Sequence, residues 1–335
     1  MHSWKSVARV LTDRSYRCDL LERRALVSGS SVGRSLLPPL SQNLTDSWSA
    51  AKAAGGLRLA AMLDARRLYD VLHHSNEQSS SIRLLHQAFG RIVGSISQFG
   101  WVTTEDLDRL VHRANITALS VTLDLCCGCG GPTLYVTWAT GSRMIGVDQS
   151  WSGVGYATEK ALALNVDHGA SFLCADVVTL PFAPGAFTVV ISIDALVHVQ
   201  QRRRLLDECI RILKPGGCIA FYDEIAGDGS GGGGASEALL LDALSVFSPH
   251  YLFPKEATIC DLEAAGFTDI EVVDCTASFE HVNRAWLAAF AEVWDLLVDE
   301  HGHDRCEAER GYLEAIGELA RNRRLGRAFF YGRKQ

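Results

Sequence analysis

The sequence predicts an α/β protein: a doubly wound, seven-stranded, mostly parallel sheet with a helical N-terminal extension and a C-terminal helical cap. Three observations carry this reading. From residue 121 onward, short apolar runs alternate with longer segments of helical spacing, the pattern of a parallel sheet covered by helices on both faces. The runs are rich in Val, Ile and Leu, as strands buried on both faces are. A glycine turn, "DLCCGCGG" at Asp124 to Gly131, joins the first run to the next helical segment, where such sheets bind ligands.

A chain of 335 residues, 47% hydrophobic and 21% charged, can bury a large core. It has room for one α/β domain with additions or for two modest domains. Net charge −7 argues against a general affinity for nucleic-acid backbones, which are bound by neutralising phosphates with Lys and Arg. A small ligand is the expected partner. No apolar run approaches the ~20 residues a bilayer requires, and the first residues lack a secretory core. The expectation is a cytoplasmic protein without a membrane span. Ten cysteines are too sparse for a disulfide framework, so most are expected as free thiols. A homo-oligomer is compatible with everything in the sequence.

Taken in order, residues 1–47 form an arm whose first 40 residues hold seven basic and three acidic side chains. A transit peptide, a disordered arm and a start-site error all fit that composition. Residues 48–118 read as a helical extension and lid, with helices over 48–75 and 81–114. In the first, Ala54, Leu57, Ala61, Ala65, Leu68 and Leu72 share a face. "SNEQSSS", Ser75 to Ser81, reads as a polar linker or mobile turn between them.

Residues 119–278 carry the main sheet. Strands are expected at Val121 to Leu125, Arg143 to Val147, Ser171 to Ala175, Phe187 to Ile193, Gly217 to Tyr222 and Asp269 to Asp274. Helices are expected at Thr133 to Thr140, Gly153 to Asn165, Gln201 to Leu213 and 256–265. The third of these is stopped by "KPGG" at Lys214 to Gly217. "AGDGSGGGGASE", Ala226 to Glu237, has six glycines in twelve residues. It reads as a mobile loop at the ligand end of the sheet or as a plain linker. Residues 279–325 form a cap of two helices interrupted at "HGHD", placed over the sheet edge, and residues 326–335 return as the final strand.

The glycine turn leads to chemistry. Gly128, Gly130 and Gly131 let the chain pass close to a ligand, and Pro132 suits the first turn of a helix. Asp148 ends the second strand, where a carboxylate can accept ribose hydroxyls. Asp176 ends the third and can take the exocyclic amine of an adenine. A dinucleotide fingerprint would place its third glycine at Thr133, which disfavours an NAD(P)-dependent oxidoreductase without removing it as the alternative.

With "LDLCCGCGGPT", "IGVDQS", "ADVVTLPF", "FTVVISIDALVHV", "RILKPGG" and "LEAAGF" in that order, the chain resembles the class I S-adenosylmethionine-dependent methyltransferases. The likeness is to the small-molecule type that includes the sarcosine/dimethylglycine, phosphoethanolamine and tocopherol enzymes, and it covers residues 95 to 275. It implies a Rossmann-like methyltransferase fold, S-adenosylmethionine as cofactor and a small-molecule methyl acceptor at nitrogen, oxygen or carbon. By the resemblance, Asp124 and the backbone around Gly128 and Gly130 hold the methionine end. Asp148 and Gln149 hold the ribose, Asp176 and the Val177 amide the adenine, and Ser192 to Asp194 the sulfonium side. Trp101 is placed to close over the cofactor, although core packing accounts for a tryptophan equally well. Cys126 and Cys129 stand where the family often has Gly and Thr or Ser. A non-catalytic cofactor-binding module is the other alternative.

Cys126 and Cys129 also have metal spacing, but zinc needs about four ligands and no second CxxC or HxxxH pair follows. They read as small packed thiols, and His301, His303, Asp304 and Cys306 as a polar turn, so no metal is expected. Candidates for acid, base or substrate orientation are Asp194 and His198 after the fourth strand and Asp223 and Glu224 after the fifth. His250 and Tyr251 stand beyond the glycine loop as substrate contacts. Of these His198 leads, because imidazole titrates near working pH. Trp286, Phe290 and Trp294, four apart, read as core more than as a substrate box.

Overall fold

Alternating side chains on short apolar strands build the centre of the molecule. The computed structural model describes residues 65–93, 100–230 and 251–335. The expectations for residues 1–64, for most of the glycine-rich loop and for His250 lie outside the described residues. Seven strands follow in chain order: β1 (Val121–Leu125), β2 (Arg143–Asp148), β3 (Ala170–Cys174), β4 (Phe187–Ile193), β5 (Leu213–Ala226), β6 (Phe267–Asp274) and β7 (Leu325–Lys334). They form one sheet in the order β3-β2-β1-β4-β5-β7-β6. β1 to β5 pair in parallel, and β7 runs antiparallel to both β5 and β6. The order reverses at β1, so the crevice lies at the carboxyl ends of β1 and β4.

Ten α-helices accompany the strands among the described residues: α1 (Ala65–Gln78), α2 (Ser80–Val93), α3 (Thr104–Arg113), α4 (Gly131–Thr140), α5 (Trp151–Ala163), α6 (Arg202–Ile212), α7 (Lys255–Ala265), α8 (Thr276–Glu292), α9 (Trp294–His301) and α10 (His303–Arg321). The period of two along each strand sends Val189, Ile191 and Tyr222 toward Leu107 of α3 and Leu134 of α4. It sends Leu123, Val190 and Phe221 toward Leu205 of α6 and Leu262 of α7. A third core lies apart from the sheet faces and unites α2, α8 and α10. At its centre the Trp286 ring stacks on Phe89 with centroids 3.7 Å apart, and its indole N–H donates to the Gly100 carbonyl at 2.9 Å.

Four expectations need correction. Residues 81–114 do not make one helix, because Thr103 opens α3 with a capping box in which its hydroxyl accepts Asp106 N–H and the Asp106 carboxylate accepts Thr103 N–H. "SNEQSSS" is no linker: α1 runs through Gln78 and α2 begins at Ser80. Its polar side chains serve as caps, with Ser79 Oγ accepting Ile82 N–H and the carboxylate of Glu300 accepting Ser80 and Ser81 N–H. β5 extends well past Gly217 to Tyr222 at both ends: Leu213 pairs with Phe187 of β4, and β7 pairs with β5 from Cys218 to Ala226. The cap has three helices, starting at Thr276. Breaks at Val293 and at Gly302, whose φ is 85°, separate them, and they pack on α2 and Trp101 instead of on the sheet edge.

Candidate active site

At the end of β1 the chain turns through two left-handed residues, Cys126 at φ 56° and Gly128 at φ 53°, before Gly130 at φ 78° opens α4. A side chain at Gly130 would meet Ala157 and Phe172 within 3 Å, so this glycine brings the turn down onto α5 and β3. The turn is fastened by Asp148, whose Oδ2 accepts Gly128 N–H at 2.9 Å and whose Oδ1 accepts Ser150 N–H at 2.8 Å. Asp148 is 8% exposed and faces a cavity of about 480 Å³. Two backbone bonds use half of a carboxylate's accepting capacity; the rest can take two vicinal hydroxyls.

Gln149, Asp176 and Val177 continue the same wall. Asp176 Oδ1 accepts Val178 N–H at 3.0 Å, which sets the turn after β3. Cys126 and Cys129 line the cavity too. Burial, with Asp148 adding for Cys126, pushes both thiols up and keeps them protonated. Among the described residues no three His, Cys, Asp or Glu side chains come together as metal ligands. His301 instead bonds Ser79 at 2.8 Å, and His303 pairs with Glu307.

Four sequence-selected residues stand behind the cavity and do not line it. Asp124 lies beneath the turn and accepts Thr133 Oγ1–H at 2.6 Å. Burial pushes its carboxyl up to about 7, although Thr133 opposes and Asp148 reinforces the shift. Ser192 donates to the Leu125 carbonyl at 3.1 Å. Gly130 serves packing, and Asp223 points to the opposite face of β5. There Asp223 Oδ1 accepts Val197 N–H at 3.1 Å, and Arg202 lies 3.7 Å from its other oxygen. It thereby holds the 3₁₀ turn Leu196–His198.

That turn delivers His198 to the cavity, its ring 5.7 Å from Tyr69. Tyr251 lines the cavity nearby and donates its N–H to the Val197 carbonyl at 2.7 Å. Asp194 reaches the cavity wall as well, but both of its oxygens are held by Arg327, at 2.6 and 3.1 Å. Arg327 also donates to Asp106 at 3.2 Å and lies 4.3 Å over the Tyr222 ring. Burial works against its charge, yet the two aspartates push the guanidinium up overall.

Glu224, one of the candidates after the fifth strand, and several residues that the sequence left unselected complete the cavity. Glu224, on the face of β5 opposite Asp223, accepts the Trp101 indole N–H at 2.8 Å. Burial pushes it up to about 7, with Asp194 adding and Trp101 and Arg327 opposing. One face of α1 contributes Tyr69, Leu72, His73 and Asn76, spaced as neighbours on a helix. Its other face is tied to α5: Asp70 accepts Ser150 Oγ–H and Ser152 N–H, and Glu77 pairs with Lys160. The cap adds Phe290, Glu309, Tyr312 and Leu313. Phe290 packs in the same core as Trp286, as the stripe suggested, and also lines the cavity. The helical spacing of Tyr69, Leu72, His73 and Asn76 was the available signal for α1; for Tyr312 the sequence offered none.

Residues 123–221 match the sequence profile of a family described as a methyltransferase domain. The chain is 31% identical over 119 residues to a sterol 24-C-methyltransferase of Schizosaccharomyces pombe, covering 36% of this chain and 32% of that one. It is 28% identical over 205 residues to phosphoethanolamine N-methyltransferase 1 of Arabidopsis thaliana, covering 61% and 39%. The chain thus spans about a third of the length of the curated relatives it matches. In fold it is similar to phosphoethanolamine N-methyltransferase 2 of Haemonchus contortus, solved with phosphomonomethylethanolamine and S-adenosylhomocysteine. There the TM-score is 0.68 at 19% identity, over 81% of this chain and 60% of that one.

Proposed function

We propose that this protein is an S-adenosylmethionine-dependent methyltransferase of small molecules, working in a reducing compartment such as the cytoplasm. The observation that carries the proposal is the Asp148 carboxylate. Pinned by two backbone N–H groups, it opens onto a cavity that runs past Asp176 and Val177 on one side and into an aromatic-walled chamber on the other. These residues fit the cofactor. Asp148 and Gln149 would take the ribose hydroxyls, Asp176 and the Val177 amide the adenine, and the backbone at Gly128 would lie along the amino-acid end. Asp124 acts from beneath, through Thr133, by keeping β1 and α4 in register around the turn. The third glycine of a dinucleotide site is replaced here by that same Thr133, which is buried.

Bound there, the cofactor supplies a methyl group on positively charged sulfur. That charge disappears as the methyl moves, so alignment and exclusion of water contribute much of the acceleration. Asp148 and Asp176 would hold a nucleoside at two points. Tyr69, Trp101 and Tyr312 wall the chamber into which its tail would point. His198, carried on the turn that Asp223 and Tyr251 hold, faces the same space and can orient an acceptor or carry its proton.

Among the described residues no helix is long and apolar enough to cross a membrane. Titrating the full chain with S-adenosylmethionine, S-adenosylhomocysteine and NAD in a calorimeter tests the reading. Binding of the first two without NAD is expected, and preference for NAD would overturn it. Incubation with cell extract and a donor deuterated in its methyl group then separates an enzyme from a passive binding module.

A further inference from the structure

Beyond the nucleoside residues, the chamber is walled by the rings of Tyr69, Trp101, Phe290 and Tyr312. Leu72, Ile82, Leu85 and Leu313 supply its apolar remainder. The Asp, Glu, Lys and Arg side chains among its described lining residues are all acidic. Glu224 lines it, Glu309 lines it paired with Arg305 at 2.8 Å, Asp194 borders it in the grip of Arg327, and no lysine or arginine is among the described lining residues. Burial lowers His73, and lowers His86 to about 4, so neither imidazole supplies positive charge at neutral pH.

A phosphate or carboxylate entering this space would shed water and meet no cationic side chain among the described lining residues. A cation meets the reverse situation, since ring faces and carboxylates both attract it. An amine fits such a wall, and the leucines and isoleucine beyond suit an uncharged body. Glu224 is the acid fixed at the centre of this arrangement, on the last turn of strand before Ala226, with its Oε1 accepting the Trp101 indole N–H at 2.8 Å. The same carboxylate lies close enough to Tyr312 for its charge to raise that phenol further.

We propose that the methyl acceptor is an amine on an apolar body, without phosphate or carboxylate groups, and that Glu224 is the catalytic carboxylate that binds its nitrogen and receives its proton. This rests on the methyltransferase reading above. The amine enters as an ammonium ion and gives one N–H proton to Glu224. Its freed lone pair then forms the bond to the methyl carbon while the carbon–sulfur bond breaks and its electron pair stays on sulfur. The product leaves as a methylated ammonium ion, and the Glu224 proton passes to solvent. Burial, which pushes this carboxyl up to about 7, suits it to exchange a proton near neutral pH. His198 and Tyr312 border the same space and can orient the amine.

The test uses the full chain with deuterated S-adenosylmethionine and five probes: benzylamine, N-methylhexylamine, phosphoethanolamine, sarcosine and catechol. Mass spectrometry reads the label. The two apolar amines are expected to be labelled at least about tenfold faster than the other three. Glu224→Gln, which keeps an oxygen for the Trp101 N–H, is expected to lower kcat about 100-fold and to leave the affinity for S-adenosylhomocysteine within about twofold. That retained affinity also certifies the fold of the variant. Faster labelling of phosphoethanolamine, sarcosine or catechol would overturn the proposal. So would a protein that binds the cofactor yet labels neither amine, or a Glu224→Gln variant with the parent's kcat. Failure to bind S-adenosylmethionine at all would instead overturn the reading beneath it.

Discussion

Replacing Asp148 by asparagine keeps the shape of the side chain and removes its charge. In the parent, one oxygen accepts Gly128 N–H at 2.9 Å and the other Ser150 N–H at 2.8 Å. Asparagine has a single carbonyl oxygen, so one of these N–H groups must face an NH₂ donor. Losing one bond to a charged acceptor costs about 1.5 to 3 kcal/mol. At 2–4 °C per kcal/mol for a domain of this order, the unfolding midpoint is expected to fall by about 5 °C. The ligand loses more. A carboxylate takes two ribose hydroxyls through charge-assisted bonds, whereas the amide offers at most one neutral acceptor. A deficit of about 2.5 kcal/mol, at 1.4 kcal/mol per factor of ten, raises the dissociation constant for S-adenosylhomocysteine about 60-fold. Calorimetry and thermal unfolding measure the two effects separately. A lower midpoint with affinity within about threefold of the parent would show that Asp148 only fastens the turn, and would refute its assignment to the ribose.

Three further outcomes are expected. His198→Ala should lower kcat about 100-fold, as for misplacement of the acceptor by the loss of a group that orients it, with cofactor affinity unchanged; parental turnover would remove His198 from the reaction. Arg327→Met leaves Asp194 and Asp106 buried beside an apolar side chain. Breaking such a buried pair costs about 3 to 5 kcal/mol, so the midpoint should fall by about 10 °C, and an unchanged midpoint would refute the account of this ion pair. At Glu300, slight burial opposes the charge, but the Ser81 and Ser80 N–H groups hold the carboxyl down at about 2, against 4.5 ordinarily. Its stabilisation is therefore present above pH 4.5 and lost as pH falls from there toward 2. For an exposed group this amounts to about 1 kcal/mol. The stability difference between the parent and Glu300→Gln should vanish by pH 2, and a difference constant with pH would refute the linkage.

The sheet was legible because its signal is local. Val121 to Leu125 and Phe187 to Ile193 are strands with the very ends the apolar runs suggested, since a strand buried on both faces reads as a short, mostly apolar run. Asp148, Gln149, Asp176 and Val177 reach the cavity because strand ends and the turns after them fix direction as well as position. Where direction depends on partners far along the chain, the sequence was mute. Asp223 and Glu224 are adjacent and chemically alike, and only the continuation of β5 alongside β7 as far as Ala226 settles which of them meets the cavity. Ser75 to Ser81 misled for a related reason. Polar residues disfavour a helix interior locally, but Glu300, 220 residues away from Ser80, accepts the very N–H groups that would otherwise be unsatisfied.

That distant cap bears on how the two ends of the chain make one chamber. α1 and α2 precede the sheet, whereas α8 to α10 come between its last two strands, and the acceptor side of the cavity is built from both. Glu300 caps α2, His301 bonds Ser79, and Arg305 donates to Ser75 Oγ at 3.1 Å and Asn76 Oδ1 at 3.3 Å. Asn76 also lines the cavity. A shift of the cap that broke the Arg305 bonds would therefore move a residue of the chamber wall, while β1 to β3 and Asp148 stayed where they are. On this geometry the nucleoside half of the site is set by the sheet and the acceptor half by the packing between helices. Substitutions in the Arg305 contacts should alter the choice of acceptor before they alter cofactor affinity. Arg305→Ala tests this directly: a changed ratio of rates between two acceptors at constant cofactor affinity is expected, and a loss of cofactor affinity with that ratio unchanged would contradict the division.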